Sequence, residues 1–200
     1  MFSGITETIG YIQNIVLNQG CKDFTVRTST IFPDIANGDS IAINGVCLTV
    51  TQHNGNGTIF SVTAVPETLN LTNLNNLHVN DAVNLERSMQ INQRLGGHFV
   101  QGHIDGMGEI VDIQNEQGAL RVKISAPQAI MAYLVHKGFI TIDGMSITLI
   151  EPTKEHFFVT FIPYTIQNTV VKDYTVGTRV NLEVDMFAKM IHQQLQNYKK

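Results

Sequence analysis

The sequence predicts a mostly β protein built as two homologous halves, followed by a helical tail. Short alternating or aliphatic runs end at Gly, Asn and Asp at the spacing of a small sandwich or barrel. Three blocks recur in the same order at nearly constant offset. The last stretch carries its apolar residues on a helical stripe instead of alternating them.

The repeat sets the organisation. Gly4 to Ile12 lies on Gly102 to Ile110 at an offset of 98, sharing glycine at the first and seventh positions and isoleucine at the ninth. Gly38 to Gly45 lies on Lys137 to Gly144 at an offset of 99. Phe60 to Glu86 lies on Phe157 to Glu183 at an offset of 97, anchored by Phe-x-Val-Thr, by the Pro66/Pro163 step with Thr68/Thr165, and by Val-Asn-Leu-Glu. A period this long marks a duplicated domain, not a solenoid. The halves are assigned to residues 1–97 and 98–187, and the tail to 188–200.

Within the first half the strand runs are Gly10–Val16, Asp23–Thr28, Ser40–Ile43, Cys47–His53, Ile59–Ala64 and Ala82–Arg87. Pro66–Leu74 reads as a short helix or turn, with Thr68 or Asn70 near a cap and Glu67 the stronger capping candidate. In the second half, Ile130, Met131, Leu134 and Val135 predict a short helix within Ala126–Val135. Its counterpart at Ile31–Ile35 is limited by Pro33 to about one turn. Gly96-Gly97 predicts a hinge or a close backbone approach, and His98 reads as structural. In the tail, Phe187, Met190, Ile191, Leu195 and Tyr198 share one face, and Lys199 and Lys200 suit the end of a helix dipole. Such a stripe is expected to pack on something, either on its own barrels or on other subunits, and its place after two complete halves suits an oligomer contact at least as well.

Composition bounds the function. The 200 residues are 43% apolar and 15% charged, enough for ordinary cores. A net charge of −4 argues against a nucleic-acid binder. The two cysteines, Cys21 and Cys47, form no CxxC pair, which argues against a structural zinc site or disulfide framework. Met1-Phe2-Ser3-Gly4 has no basic leader, and no window has the apolar length of a membrane helix. No membrane partner and a cytoplasmic location are expected.

The most informative stretch is Asn44-Gly45-Val46-Cys47-Leu48-Thr49-Val50, echoed as Asp143-Gly144-Met145-Ser146-Ile147-Thr148-Leu149. Asn-Gly and Asp-Gly are strong hairpin signals, because both central residues of a type I′ turn need positive φ. Cys47 and Thr49, like Ser146 and Thr148, then share one strand face. Two small polar groups there line a polar ligand site more naturally than they fill a core.

Together these residues resemble the riboflavin synthase family of the lumazine-binding superfamily. The matching pieces are Met1–Ile5, Asn44–Val50, Pro66–Leu69 with Thr72–Leu74, Val83–Arg87, Gly96–His98 with Gly102-His103, and Lys137-Gly138 with Ile142–Thr148. The resemblance implies an all-β fold of two tandem six-stranded Greek-key β-barrels with a C-terminal α-helix that gathers three subunits. It implies dismutation of two 6,7-dimethyl-8-ribityllumazine molecules, one giving a four-carbon unit to the other, to yield riboflavin and 5-amino-6-(D-ribitylamino)uracil. No metal and no cofactor takes part. The expected partners are the substrate, a homotrimer of this chain, and lumazine synthase.

Carried over by position, the resemblance groups one site as Gly4, Ile5, Thr6, Cys47, Leu48, Thr49, Thr63, Ala64, Val65, Pro66, Glu67 and Thr68. It groups the other as Gly102, His103, Ile104, Ser146, Ile147, Thr148, Thr160, Phe161, Ile162, Pro163, Tyr164 and Thr165. Lys137 is expected to reach ligand across a subunit boundary. His103 is the candidate base. Cys47 is a candidate to add to the ring, polarise it or pack against it. Ser146 and Thr148 are candidates to orient water or ring, with Asp143 and Asp185 as supporting carboxylates. A non-catalytic antenna protein that holds one chromophore is the competing class. The survival of Gly102-His103 and Ser146-x-Thr148 favours the enzyme. A reductase flavin domain would want a GxGxxG nucleotide partner, which is missing here.

Overall fold

The computed structural model describes residues 1–197, so the expectations for Tyr198, Lys199 and Lys200 lie outside the described residues. The first half contains β1 (Thr8–Asn18), β2 (Cys21–Thr28), β3 (Ser40–Ile43), β4 (Val46–His53), β5 (Ile59–Ala64) and β6 (Ala82–Arg87). They close into a barrel in the order β1-β2-β5-β4-β3-β6. The meander β3-β4-β5 sets β5 beside β2, which is a Greek key. The second half repeats this with β7 (Gly106–Glu116), β8 (Ala119–Ser125), β9 (Phe139–Ile142), β10 (Met145–Thr148), β11 (His156–Phe161) and β12 (Arg179–Val184).

The second sheet keeps the same neighbours, in the order β10-β9-β12-β7-β8-β11. Its seam is thinner. Where β4 pairs with β5 from Val50↔Val62 to His53↔Phe60, the second half has a single bridge, Ile150↔Phe158. Even the bulges correspond, between Ile12 and Asn14 in β1 and between Ile110 and Asp112 in β7.

Alternation along each strand builds the two cores. Phe24, Val26, Phe60, Val62 and Leu85 fill the first, and Ile124, Phe157, Val159, Val180 and Leu182 the second. Burying each such side chain contributes roughly 1.5–3 kcal/mol. Short helices follow β5 and β11: α1 (Pro66–Leu71) and, past α2 (Gln128–Met131), α3 (Pro163–Asn168). Proline stands in the first turn of both α1 and α3, where its missing N–H costs no helical bond.

Three local expectations need correction. Thr68 and Asn70 lie inside α1, whose N-cap is Val65 with no side-chain cap bond, and Glu67 sits in the first turn as a favourable charge instead. The Ala126–Val135 helix shrinks to α2, with Ile130, Met131 and Leu134 buried and Val135 exposed. Ile31–Ile35 holds no helix, only a turn at Pro33-Asp34. The tail helix, α4 (Met186–Asn197), starts with Asp185, whose Oδ1 accepts from Phe187 N at 2.9 Å. The Lys189 ammonium pairs with Asp105 at 2.7 Å and ties α4 to the second barrel. Phe187, Met190, Ile191 and Leu195 remain exposed.

The barrels meet turn to turn. Asn44 and Gly45 have φ of 45° and 78°, and Asp143 and Gly144 have φ of 44° and 85°. The two glycines touch: a Cβ on Gly45 would stand 2.6 Å from Gly144 N. Around them runs a buried polar lattice. Asn84 Nδ2 donates to the Asp143 carbonyl at 2.9 Å, and Asn181 Nδ2 to the Asn44 carbonyl at 2.9 Å. These are the two asparagines of the repeated Val-Asn-Leu-Glu, and each reaches across to the other half's turn.

Candidate active site

The strand after each turn points its aliphatic side chains inward and its small polar ones outward. Val46, Leu48 and Val50 are buried, while Cys47 is half-exposed and Thr49 exposed. In the second half Met145 is buried, Ser146 half-exposed and Thr148 exposed. Beside Cys47 lies a cleft of about 230 Å³, and beside Ser146 another of about 430 Å³.

What lines each cleft departs from the grouping expected by position. The Cys47 cleft is walled by Glu67 and Thr68 of the first half, but also by Gly102, His103 and Ile104 of the second. The Ser146 cleft is walled by Ile147, Tyr164 and Thr165 of the second half, with Gly4, Ile5 and Thr6 of the first. The halves exchange their leading segments. Phe2 and Val100 pair side by side between the barrels, with N–H···O bonds of 2.8 and 3.1 Å in the two directions. Each segment then runs along the other half's strand. Cys47 N donates to the Gly102 carbonyl at 2.9 Å, and Ser146 N to the Gly4 carbonyl at 2.7 Å.

That crossing requires glycine. Gly4 and Gly102 have φ of 75° and 81°, a region costly for other residues. A Cβ on Gly4 would stand 2.6 Å from Ser146 Cβ, and one on Gly102 2.5 Å from Cys47 Cβ. Gly97 is a close approach rather than a demonstrated hinge, since a Cβ there would meet the Ser3 carbonyl at 2.3 Å.

Two residues that the sequence marked only as repeat anchors hold the segments. Glu86, at the end of β6, accepts from Ser3 N at 2.6 Å, Ser3 Oγ at 2.8 Å and Gly4 N at 3.1 Å. Glu183, its equivalent in β12, accepts from Gln101 N at 2.7 Å, Gly102 N at 2.8 Å and His103 N at 3.1 Å. Burial raises both carboxyls, Glu86 to about 7, against the lowering pull of these donors.

The candidate chemical groups fall unequally. His98 is buried, and its Nδ1 shares a 2.6 Å hydrogen bond with Ser146 Oγ. Its Nε2 lies 3.3 Å from Thr141 Oγ1, and its ring stacks on Phe139 at 5.0 Å. Burial lowers its pKa below the ordinary histidine value, which favours a neutral ring able to accept the serine proton. Cys47 lies opposite the exposed His103, with no comparable hydrogen bond on its side chain among the described residues. The structural histidine of the sequence is therefore the one that touches the Ser146 hydroxyl.

Other candidates sit apart from the clefts. The side chains of Leu48, Ala64 and Phe161 fill barrel cores. Thr63 Oγ1 donates to Asp23 at 2.5 Å, and Thr63 lines neither cleft. Thr49, Val65, Pro66, Thr148, Thr160, Ile162 and Pro163 line neither cleft within one chain, and neither does the exposed Lys137. Asp185 caps α4. Asp143 is buried in the lattice between the barrels, where its carboxyl accepts from Tyr174 Oη at 2.7 Å, Asn181 N at 2.8 Å and Asn73 Nδ2 at 2.9 Å. It faces a larger cleft of about 750 Å³ between the barrels, not the Ser146 cleft.

Two barrels of one design, each finishing the other's cleft, define a duplicated small-molecule-binding protein. The lumazine-binding domain model matches residues 3–88 and 101–185, one copy per barrel. Riboflavin synthase of Bacillus subtilis is 40% identical over 195 residues, covering 98% of this chain and 90% of that protein. Riboflavin synthase of Actinobacillus pleuropneumoniae is 42% identical over 195 residues with the same coverage. Riboflavin synthase of Mycobacterium bovis is 40% identical over 200 residues, covering 98% of this chain and 99% of that one. Among solved structures, LumP complexed with 6,7-dimethyl-8-(1'-D-ribityl) lumazine has the same fold. Its TM-score is 0.80 at 24% identity, over 92% of this chain and 99% of that one. The chain belongs to the riboflavin synthase family of lumazine-binding-domain proteins.

Proposed function

We propose that the chain catalyses the dismutation of 6,7-dimethyl-8-ribityllumazine, as a transferase. One molecule gives up a four-carbon unit and the other receives it, yielding riboflavin and 5-amino-6-(D-ribitylamino)uracil. The observation that carries this reading is the pair of matched clefts, Cys47 with Gly102–Ile104 and Ser146 with Gly4–Thr6. A reaction between two copies of one bulky molecule gains most from twin sites that hold both rings in register, because the loss of translational freedom is met by binding.

The chemistry needs a proton taken from a ring methyl and a transient nucleophile. Ser146, bonded to a neutral His98, is the activated hydroxyl on one side. His103 beside Cys47 is the base candidate on the other. Thr6, Thr68 and Thr165 offer neutral hydroxyls suited to a ribityl chain and a polar ring. The exposed stripe Phe187, Met190, Ile191 and Leu195 on α4 is assigned to a homotrimer, in which a first barrel faces a neighbour's second barrel and Lys137 reaches across. Work in the cytoplasm, and with lumazine synthase as a further partner, belong to the same reading. No helix among the described residues is long and apolar enough to cross a membrane.

The test is to incubate the purified chain with 6,7-dimethyl-8-ribityllumazine alone and follow riboflavin absorbance. The expected result is one riboflavin for every two lumazines consumed. Tight binding without turnover would select the antenna class instead.

A further inference from the structure

Glu86 and Glu183 are anomalous as stabilising residues. Each is almost fully buried, at 6% and 2% exposure. Among the described residues neither forms an ion pair. Their hydrogen-bond donors are the backbone N–H groups of one short irregular segment, plus the Ser3 hydroxyl. An apolar side chain would fill the same space without the cost of taking a carboxyl out of water. What a carboxylate adds is direction. Neighbouring N–H groups that converge on one acceptor fix the path of the chain carrying them.

The path matters because the held segment does not stay with its own barrel. Ser3 and Gly4 are pinned by Glu86 of the first barrel, yet the Gly4 carbonyl accepts from Ser146 and the segment walls the Ser146 cleft. Gln101, Gly102 and His103 are pinned by Glu183 of the second barrel, yet the Gly102 carbonyl accepts from Cys47 and the segment walls the Cys47 cleft.

We propose that Glu86 and Glu183 are crossed positioning residues: each carboxyl, rooted in one barrel, sets the ligand-facing segment of the other barrel's cleft. The consequence for ligand rests on the function proposed above; the crossing itself does not. A residue with a merely structural role loosens its own barrel. A crossed positioning residue loosens the opposite cleft and leaves its own strand packed.

Thiol reactivity reads this directly, because the chain has only Cys21 and Cys47. In a Cys21→Ser background, Cys47 becomes the single thiol, lying beneath Gly102. Glu183→Gln, which sets an amide N–H₂ against backbone donors, should raise the rate of Cys47 labelling by an aromatic disulfide several-fold. Glu86→Gln should leave it unchanged. In a chain carrying Cys21→Ser, Cys47→Ser and Ser146→Cys, the pattern should reverse. The thermal midpoint of each variant is measured alongside. If Glu183→Gln does not fold, Glu183→Asp, which keeps the charge but withdraws it by one methylene, should give a smaller rise in the same cleft.

Equal rises from both glutamates in either background, or none from the opposite glutamate, would overturn the crossing. Weakened lumazine binding at the loosened cleft is expected to accompany it. Crossed labelling in a chain that neither binds nor converts lumazine would leave this inference standing and remove the functional reading.

Discussion

The turns Asn44-Gly45 and Asp143-Gly144 occupy one place in the repeat and face each other between the barrels, yet their surroundings differ. Asn44 uses its Oδ1 to accept from Asn84 N at 2.8 Å and its carbonyl to accept from Asn181. Asp143 accepts from Asn181 N in the same way, but adds Tyr174 and Asn73, whose repeat positions in the other half are Leu77 and Val170. The same inequality runs into the clefts. Ser146 has a histidine bonded to it, and Cys47 has one only across a cleft. Duplication supplied two copies of one scaffold. Among the side chains that differ are those where the copies touch each other and those that line the two clefts. Two sites of one shape need not do the same job, and a donor and an acceptor require different ones.

Breaking the crossing should have the largest effect. Gly102→Val drives a branched side chain into Cys47 and strains a positive φ, and should lower turnover by on the order of 100-fold or more. Gly4→Val should do the same through Ser146, and steady-state kinetics with circular dichroism would separate lost activity from lost fold. Next comes the histidine difference. His98→Gln, which frees Ser146 Oγ, should reduce kcat by about 10- to 100-fold with a smaller change in KM. Cys47→Ser, which makes the first site resemble the second without its histidine, should cost less than His98→Gln. A larger loss from Cys47→Ser would reverse the assignment of the activated hydroxyl.

The smallest effect on turnover, and a clear one on stability, is expected between the barrels. Burial pushes the Asp143 carboxyl from its usual 3.8 up to about 7. Between those values the folded chain keeps a proton that the unfolded chain has released. The stability tied to this group is therefore full below about pH 4 and is lost as pH rises through 7. Glu86 titrates in the same direction, so the comparison must be with a variant. Asp143→Asn cannot ionise, and Tyr174 Oη can turn to accept from the new amide. Denaturant unfolding should find the two chains alike near pH 4 and the variant more stable at about pH 8, by on the order of a few kcal/mol. Equal pH slopes would contradict the burial of an ionisable group there.

Much of this scaffold was legible in the chain. The repeat fixed the two halves, the Asn-Gly and Asp-Gly pairs fixed the hairpins, and the aliphatic alternation fixed the cores. Leu48, Ala64 and Phe161 were assigned to the site because whole runs were carried over. Strand alternation alone would have turned Leu48 inward, between Val46 and Val50. The exchange of leading segments was not legible. A repeat says which residues are equivalent, not which copy each one touches; Gly4 and Gly102 stand out as repeated glycines, but nothing in the sequence says that their carbonyls accept from the other half's strand. Glu86 and Glu183 were visible as repeated letters, but a carboxyl at a strand end reads as surface until its donors are seen. His98 was read as structural because nothing near it in sequence announces Ser146.

The proposed function requires two lumazine-type sites on one chain, each completed by the other half. Equilibrium dialysis with an 8-ribityllumazine lacking the ring methyl groups, which cannot react, tests it most directly. Two ligands should bind per chain, falling to one when Gly102→Val closes the Cys47 cleft. A single ligand per chain in the unaltered protein, or two retained in the Gly102→Val variant, would contradict it.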